Sequence, residues 1–399
     1  MTRRVLYVQY TNPAGYPPLE HSAWLLAEAG FDVRFFGTNA LGDSLKLRPH
    51  PRIRTQLATF RKRGVLQKVH YVWFSLRAVF IALAWRPSWI YASDPLSCAP
   101  ALLMTWLPGA HVIYHEHDSP SREVARGGAG TAFMRLAMRA RRALAQRCEA
   151  CVLPNDERGR AFSEDTGAAN VLIVWNCPMR GEISFRSRPS PRGRLKVFYH
   201  GSIVPARLPE TVIAAIAQLP PGVSLTVAGY ETAGHPGYVR HLLKIARELG
   251  ASDRVRYIGT VPTRAELLRE CAASDVGLAL MPMETSDINE QAMVGASNKP
   301  FDYLACGLPL LVAERPEWLQ TYVAAGFGRG CDPRSVSSLT DALRWFLDHP
   351  AERDAMGDRG REKILSDWHY EKMFQPVSAR MLASGAGWAE RVPSADPIR

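Results

Sequence analysis

The chain has 399 residues, of which 47% are hydrophobic and 22% charged, and its net charge is +11 at pH 7. This length predicts two domains, and this composition is typical of a soluble globular protein. The seven cysteines are odd in number and scattered, which argues against a disulfide scaffold and favours a reducing cytoplasm.

The positive charge is concentrated in the first half of the chain. Residues 1–180 carry 23 Lys and Arg against 13 Asp and Glu, and no acidic residue stands between Asp43 and Asp94. Such a block is typical of a nucleic-acid contact or an anionic-membrane contact, or it is a solvated loop without a partner. Because no nucleic-acid-binding motif accompanies it, we expect no nucleic-acid partner and favour an anionic membrane surface.

Short apolar strands alternate with helices along residues 1–180. The predicted strands are 5–10, 31–36, 89–92, 112–115, 150–154 and 171–175, and the predicted helices include 20–29, 96–106 and 132–147. Residues 69–85 are apolar but are interrupted by His70 and Arg77, so they predict a helix buried on at least one face rather than a membrane span. Arg3 and Arg4 precede a short strand and not a long apolar run, so we expect no secretory signal.

A linker rich in Pro, Arg, Ser and Gly at 176–194 precedes a second alternating series. Its predicted strands are 196–200, 224–228, 255–258, 276–280 and 310–312; its predicted helices are 209–219, 238–249, 264–272, 299–306, 336–347 and 351–364. The pattern predicts an α/β fold of two doubly wound Rossmann-like domains, 1–180 and 181–367, facing across a cleft. Residues 368–399 are expected to form a last helix that packs back on the first domain, and a frayed tail after Ser384.

The stretch from Ser297 to Val312 reads as a loop, a helix and a buried strand. Ser297 and Asn298 are helix N-cap residues, and Lys299 and Asp302 stand in the first turn. The positive end of a helix that also carries a lysine is suited to a phosphorylated ligand. No GxGxxG follows either first strand, and neither a P-loop nor a DxD pair occurs, so we expect no nicotinamide, flavin or metal cofactor.

This stretch resembles the donor-binding motif of retaining glycosyltransferases of the two-Rossmann-domain type (GT-B), in particular family 4. In that family a carboxylate stands five residues before the glycine of an Ala-x-Gly-x-Pro turn, as Asp302 does before Gly307. Many members have Glu at that place, and an upstream Glu is here replaced by Val294. The resemblance implies that Lys299 holds the donor diphosphate, and that Ser297, Asn298 and Asp302 bind the donor, Asp302 at its ribose.

The start of the second domain resembles the family's Gly-Arg-Leu-x-x-x-Lys loop. Gly201 matches its glycine, Ser202 takes the place of its Arg, and Arg207 that of its Lys. The resemblance therefore implies that Arg207 also neutralises the donor diphosphate. Val261, after a strand and Gly259, stands where the family's backbone reads the nucleobase edge.

Two loops of the first domain complete the resemblance. Residues 114–118 are similar to a Tyr-Asp-x-His-Glu pattern, which implies that His117 points at the transferred sugar and that Asp118 takes the place of the Glu. Gly15 matches a glycine loop that closes over the acceptor and the diphosphate.

The resulting hypothesis is a metal-independent, retaining hexosyltransferase that moves a sugar from a nucleotide-diphosphate sugar to a hydroxyl acceptor. The acceptor would be a lipid-linked or cell-surface polysaccharide precursor, reached from the cytoplasmic side of a membrane. His117, Arg207 and Lys299 would be catalytic. The alternatives are a sugar-nucleotide epimerase or hydrolase, and an inactive binding subunit, which the substitutions at Ser202, Val294 and Asp302 favour.

Overall fold

The computed structural model describes residues 3–40, 45–61, 64–121, 124, 131–183, 190–232 and 234–383. Within these ranges every strand belongs to one of two sheets, and every recorded strand pairing is parallel. The predicted α/β fold with two Rossmann-like domains is therefore confirmed.

The N-terminal sheet has seven strands in the order β3-β2-β1-β4-β5-β6-β7. Its strands are β1 (Arg4–Val8), β2 (Asp32–Thr38), β3 (Ile53–Ala58), β4 (Trp89–Ser93), β5 (His111–His115), β6 (Ala150–Leu153) and β7 (Val171–Ile173). The helices around it are α1 (Pro17–Glu28), α2 (Val65–Trp85), α3 (Cys98–Met104), α4 (Ala132–Ala145) and α5 (Asp156–Thr166). The sequence patterns missed β3, because Arg54, Thr55 and Gln56 at the centre of this edge strand are polar and interrupt any apolar run.

The C-terminal sheet has six strands in the order β10-β9-β8-β11-β12-β13. Its strands are β8 (Leu195–Ile203), β9 (Val223–Glu231), β10 (Val255–Tyr257), β11 (Val276–Ala279), β12 (Leu310–Ala313) and β13 (Gly328–Cys331). Only β13 was absent from the prediction. Its glycines hide the strand pattern, and Gly328 is needed there because a Cβ at that residue would overlap the backbone of Leu310.

Six helices of the C-terminal domain follow the predicted positions closely, and the short ones at 288–291 and 316–318 were not predicted. The helices are α6 (Glu210–Gln218), α7 (Tyr238–Glu248), α8 (Arg264–Ala272), α9 (Ile288–Gln291), α10 (Asn298–Ala305), α11 (Pro316–Trp318), which continues as a π-helical turn (Leu319–Val323), α12 (Val336–Asp348) and α13 (Pro350–Ser366).

The last helix, α14 (Tyr370–Ala383), packs against the N-terminal domain. Tyr370 donates its hydroxyl to the carbonyl of Pro18 at 3.0 Å, and the indole N–H of Trp89 donates to the carbonyl of Met381 at 3.2 Å. The end of the chain thus ties the second domain back to the first. The tail predicted to fray after Ser384 lies outside the described residues.

Helix α2 is buried on one face, through Tyr71, Phe74, Ala78, Ile81 and Ala82. Within the described ranges, no helix combines the length and apolar character that crossing a membrane requires.

The two sheets reverse their strand order at β1/β4 and at β8/β11. Ligands of doubly wound sheets bind beyond the carboxyl ends of the strands at such a switch point. The loops that follow β1, β4 and β5 in one domain, and β8 and β9 in the other, therefore supply the walls of the cleft.

Candidate active site

A cavity of about 240 Å³ lies in the cleft and collects most of the residues that the sequence predicted for the site. Its walls come from both domains, so the two sheets contribute to one site. The predicted residues that line it are Gly15, His117, Asp118, Gly201, Ser202, Arg207, Ser297, Asn298 and Lys299.

Val261 lines an adjoining cavity of about 340 Å³ between the ends of the C-terminal strands. Gly201 and Tyr230 belong to both cavities, so the two are continuous. Gly229 lies directly against the backbone of Gly201 at this boundary. Its φ is 141°, and a Cβ there would overlap the Gly201 carbonyl. Only glycine permits this approach of β8 to β9.

Lys299 brings a buried amine to the cavity. Its side chain is 6% exposed, and a Cβ on Gly201 would lie 3.3 Å from its Nζ. Burial, with help from the charge of Arg207, lowers the pKa of Lys299 to about 7. No ion pair of Lys299 is recorded within the described part of the chain, so an anionic ligand would restore the ordinary protonation of this amine.

Arg207 is held beside Lys299 by the residue that replaces the family's arginine. Its Nη1 donates to the Ser202 hydroxyl at 2.9 Å, while its buried Nε has no hydrogen-bond partner in the described part of the chain. Two cationic side chains, one of them oriented by Ser202, therefore face one cavity beside the N-terminus of α10. This arrangement can bind a diphosphate.

His117 enters the cavity from the opposite domain. It is 6% exposed, and its buried Nε2 has no hydrogen-bond partner among the described residues. Burial, with Arg158 nearby, lowers the pKa of His117 to about 3, so the imidazole is neutral at physiological pH. A neutral imidazole can orient a polar group of a ligand, but it does not neutralise a phosphate.

Asp302 lies behind the cavity and lines neither chamber. It is 1% exposed, and Arg264 donates to both of its oxygens, from Nη2 at 2.6 Å and from Nη1 at 3.3 Å. His200 lies between Asp302 and the cavity: it lines the cavity, and its Nε2 is 3.4 Å from Asp302 Oδ2. Its contact with a ribose remains a prediction.

Two family models match the chain over these same domains. The model described as "Glycosyl transferase 4-like domain" matches residues 19–177, and the model described as "Glycosyl transferase-like" matches residues 207–378. The chain belongs to the glycosyltransferases of the two-Rossmann-domain (GT-B) type. It is therefore a glycosyltransferase that uses nucleotide sugars.

Curated relatives and solved structures agree with this membership. The glycosyltransferase is 23% identical to glycogen synthase of Mycobacterium tuberculosis over 317 residues, which is 78% of this chain and 72% of that one. A second relative is the same organism's GDP-mannose-dependent alpha-(1-6)-phosphatidylinositol monomannoside mannosyltransferase. The two chains are 26% identical over 202 residues, which is 47% of this chain and 50% of the relative. The Anabaena HepE structure, in complex with UDP and glucose, shares the fold with a TM-score of 0.71 at 15% identity, covering 96% of this chain and all of that one.

Sequence reasoning missed several residues that line the transferase's cavity. His200 and Tyr230 lie near the ends of β8 and β9, where the switch-point rule could have found them. Tyr16, Asn176 and Arg158 carried no such signal. Arg158 is buried in α5 and donates to the carbonyls of His117, Asn289 and Ala292 at 2.7–2.9 Å, so its role depends on how the domains meet.

The interdomain contact beside the glycosyltransferase site involves the backbone near Val294. Asn155 donates its amide to the carbonyls of Ala292 and Val294 at 2.9 and 2.8 Å. A Cβ on Gly295 would come within 2.8 Å of the Pro154 carbonyl, and the φ of Gly295 is 79°. At the place of the family's upstream Glu, this transferase therefore has a close backbone contact between its domains.

A third cavity of about 420 Å³ lies in the N-terminal domain of the transferase and contains Asp94, which the prediction did not include among the site residues. Asp94 accepts hydrogen bonds from the His117 backbone N–H at 3.0 Å and from the Gln9 amide at 3.2 Å. Its φ of 64° is unusual for a residue other than glycine, and burial, with the Asp118 charge, raises its pKa to about 7. Tyr16 and Asp118 line both this chamber and the first, so the N-terminal cavity opens onto the site.

Proposed function

We propose that this glycosyltransferase transfers a hexosyl group from a nucleotide-diphosphate sugar to a hydroxyl acceptor with retention of anomeric configuration and without a metal ion. The observation that carries the proposal is the pair of cationic side chains, Lys299 and Arg207, beside the N-terminus of α10 in the cleft. Negative charge develops on a departing diphosphate, and these groups are placed to stabilise it.

The three connected chambers suggest how the substrates are arranged. The nucleoside would occupy the chamber with Val261, the diphosphate would lie against Gly201, Lys299 and Arg207, and the sugar would extend towards His117. The acceptor would enter through the chamber with Asp94 in the opposite domain.

No carboxylate is assigned as a nucleophile, so a same-face displacement needs the fewest assumptions. The bond between the anomeric carbon and the diphosphate oxygen breaks with its electrons on that oxygen, and the acceptor oxygen bonds to the same carbon on the same face. The acceptor proton passes to the departing phosphate oxygen. Lys299 and Arg207 hold the leaving group, and His117 orients the sugar.

A lipid-linked polysaccharide precursor is the acceptor we propose. One relative is named for a phosphatidylinositol mannoside substrate, and the N-terminal chamber has apolar walls that include Leu96, Met134 and Met138. The relatives do not agree on the nucleobase, because HepE was solved with UDP while the mannosyltransferase is named for GDP-mannose.

The test combines donor binding with product analysis. Thermal shifts with UDP, GDP and ADP and their sugar conjugates identify the nucleotide, and mass spectrometry and NMR of the products then identify the transferred sugar and its anomer. A retained glycoside formed in the presence of EDTA supports the proposal. Free sugar or an epimer formed without acceptor would indicate a hydrolase or epimerase instead, and nucleotide binding without turnover would indicate an inactive subunit.

Replacing His117 with alanine is expected to lower kcat by about 10²–10³-fold with little change in nucleotide affinity, since a neutral group near the sugar acts on the transition state. Because the pKa of His117 is lowered to about 3, the wild-type rate should show no inflection from this group between pH 5 and 9. Steady-state kinetics with saturating donor measure both quantities. Substitution of the half-exposed His241 serves as control; equal effects of the two substitutions would contradict the assignment.

Replacing Asp94 with asparagine keeps an acceptor for the His117 N–H but removes a carboxylate whose pKa is about 7. If the ionised Asp94 accepts a hydrogen bond from the acceptor hydroxyl, kcat/KM for the acceptor rises from pH 6 to pH 8 as the carboxyl loses its proton. The variant should not show this rise. Its kcat/KM for the acceptor should be about 10- to 100-fold lower than that of wild type, because this factor corresponds to one hydrogen bond to a charged group. Nucleotide affinity should not change; a pH profile that survives the substitution would refute the role.

A further inference from the structure

Helix α2 exposes a second apolar stripe on the side away from the N-terminal core. Its inward residues lie under the sheet, yet its outward residues are also large and apolar, and each is 50–75% exposed. They recur at helical spacing over the length of the helix: Val65, Leu66, Val69, Val72, Trp73, Leu76, Phe80 and Leu83. A surface helix of a water-bathed domain normally carries polar residues on its outer side. Among the described residues, this stripe is therefore an apolar surface that no other part of the chain covers.

The apolar stripe extends onto α3 and is surrounded by positive charge. Leu103, in the last turn of α3, and Trp106, two residues after this helix ends, are 48% and 73% exposed. Lys68 and Arg77 are exposed on α2 itself, and Arg86 is exposed just after it. No acidic residue occurs from position 44 to position 93, so nothing within this segment offsets these cations.

The same helix forms part of the wall behind the proposed acceptor chamber. The Tyr71 hydroxyl donates to the carbonyl of Leu96 at 2.8 Å, and the Tyr10 hydroxyl lies 2.8 Å from His70 Nδ1. Tyr10 and Leu96 both line the N-terminal cavity. The exposed stripe and the acceptor chamber are thus opposite sides of one layer of side chains.

We propose that the outward face of α2 inserts into the interfacial region of an anionic lipid bilayer, with Lys68, Arg77 and Arg86 at the head groups. An apolar stripe with basic residues and no acidic ones is the pattern of a helix that lies in the membrane plane. A second copy of the chain fits less well, since a two-fold contact would bring the same positive surface against itself. The inference rests on the exposed surface of α2 and of the adjoining residues and holds whether or not the proposed transfer reaction is correct.

Vesicle binding tests the docking face. Full-length protein is sedimented with phosphatidylcholine vesicles, with or without phosphatidylglycerol, at low and high salt. The double variant Leu76→Gln/Phe80→Gln should bind anionic vesicles at least tenfold more weakly, while the matched control Leu249→Gln/Leu365→Gln, at partly exposed leucines of the other domain, should bind as wild type. The variant Lys68→Gln/Arg77→Gln should lose the preference for anionic vesicles. Equal binding of all variants would overturn the proposal.

A site-specific probe distinguishes insertion from simple adsorption. All seven cysteines are buried, so a cysteine introduced as Leu76→Cys can carry an environment-sensitive dye selectively, with Leu365→Cys as control. Anionic vesicles should increase and blue-shift the emission at position 76 and leave position 365 unchanged. An unchanged emission spectrum of the dye at position 76 would overturn insertion. Insertion would also be overturned if sedimentation velocity showed the wild-type protein to be a dimer and the variant Leu76→Gln/Phe80→Gln to be a monomer. Nucleotide binding by Leu76→Gln/Phe80→Gln, measured without vesicles, should equal wild type, so loss of docking is separable from failure of the proposed reaction.

Discussion

Replacing Lys299 with alanine is expected to lower kcat by about 10²–10³-fold, or roughly 2.7–4 kcal/mol of transition-state stabilisation. Lys299 is buried, is next to Gly201 and shares its cavity with Arg207, so no mobile surface cation can take its place. Steady-state kinetics and nucleotide titration separate the loss of rate from the loss of affinity. Lys299→Met retains most of the packing and should show the same defect, which distinguishes loss of charge from loss of fold.

The pH dependence of nucleotide affinity gives an independent measure of Lys299. Its pKa in the free protein is lowered to about 7, so the amine is protonated below that pH and neutral above it. A diphosphate binds the protonated form better, and nucleotide affinity should therefore fall as the pH rises from 6 to 9. In Lys299→Met this fall should disappear.

The exposed Lys244, which pairs with Glu248 at a helix surface, provides the control for Lys299. Lys244→Met should leave both the rate and the pH profile of nucleotide binding unchanged. Turnover of Lys299→Met within a few-fold of wild type would remove the proposed stabilisation of the leaving group.

Replacing Arg264 with alanine is expected to lower the free energy of unfolding by about 3–5 kcal/mol, the usual cost of breaking a buried ion pair from one side. Arg264 donates to Asp302 and also, through Nε at 2.7 Å, to Glu182 in the segment between the domains. Glu182 in turn lies 3.0 Å from His21 of the N-terminal domain. The substitution leaves the buried Asp302 and the partly buried Glu182 without their common partner.

The loss of unfolding free energy caused by Arg264→Ala should depend on pH in a defined direction. Burial raises the pKa of Asp302, and Arg264 opposes that rise, so the variant's carboxyl should have a still higher pKa. A carboxyl with a raised pKa binds more protons in the folded state than in the unfolded state. Its contribution to stability therefore falls as the pH rises from the pKa of this carboxyl in the unfolded state towards its pKa in the folded state. The difference in unfolding free energy between wild type and Arg264→Ala should be larger at pH 8 than at pH 5.

Urea denaturation followed by tryptophan fluorescence at both pH values measures the effect. Arg334→Ala, which removes an exposed pair with Asp332, should leave the midpoint unchanged. Arg264→Ala/Asp302→Asn should recover part of the loss, because a neutral amide needs no cationic partner. A midpoint of Arg264→Ala that matches wild type would show that the buried network contributes nothing to stability.

The sequence by itself determined the two-sheet α/β fold, apart from the strands β3 and β13, and it predicted a cationic site at the cleft. Apolar runs of strand length and helical periodicity are local signals, and so are the glycine turn after β8 and the lysine in the first turn of α10. Together with the family resemblance, these signals predicted that Lys299, Arg207, Ser202 and His117 lie at one cleft, because parallel strands bring the loops at their carboxyl ends together.

Only the tertiary structure decided which groups these residues meet. Asp302 is paired with Arg264, 38 residues away, and Asp94 with the backbone of His117, 23 residues away, and neither spacing follows a helix or strand period. Arg158 bonds carbonyls across the domain interface, 131 and 134 residues distant. Burial and pairing of charges depend on contacts between distant segments, whereas the periodicity of a sequence reports only on neighbours. For the same reason the sequence predicted a helix at 69–85 with a buried face, while the apolar side left exposed became visible only once the domain was packed.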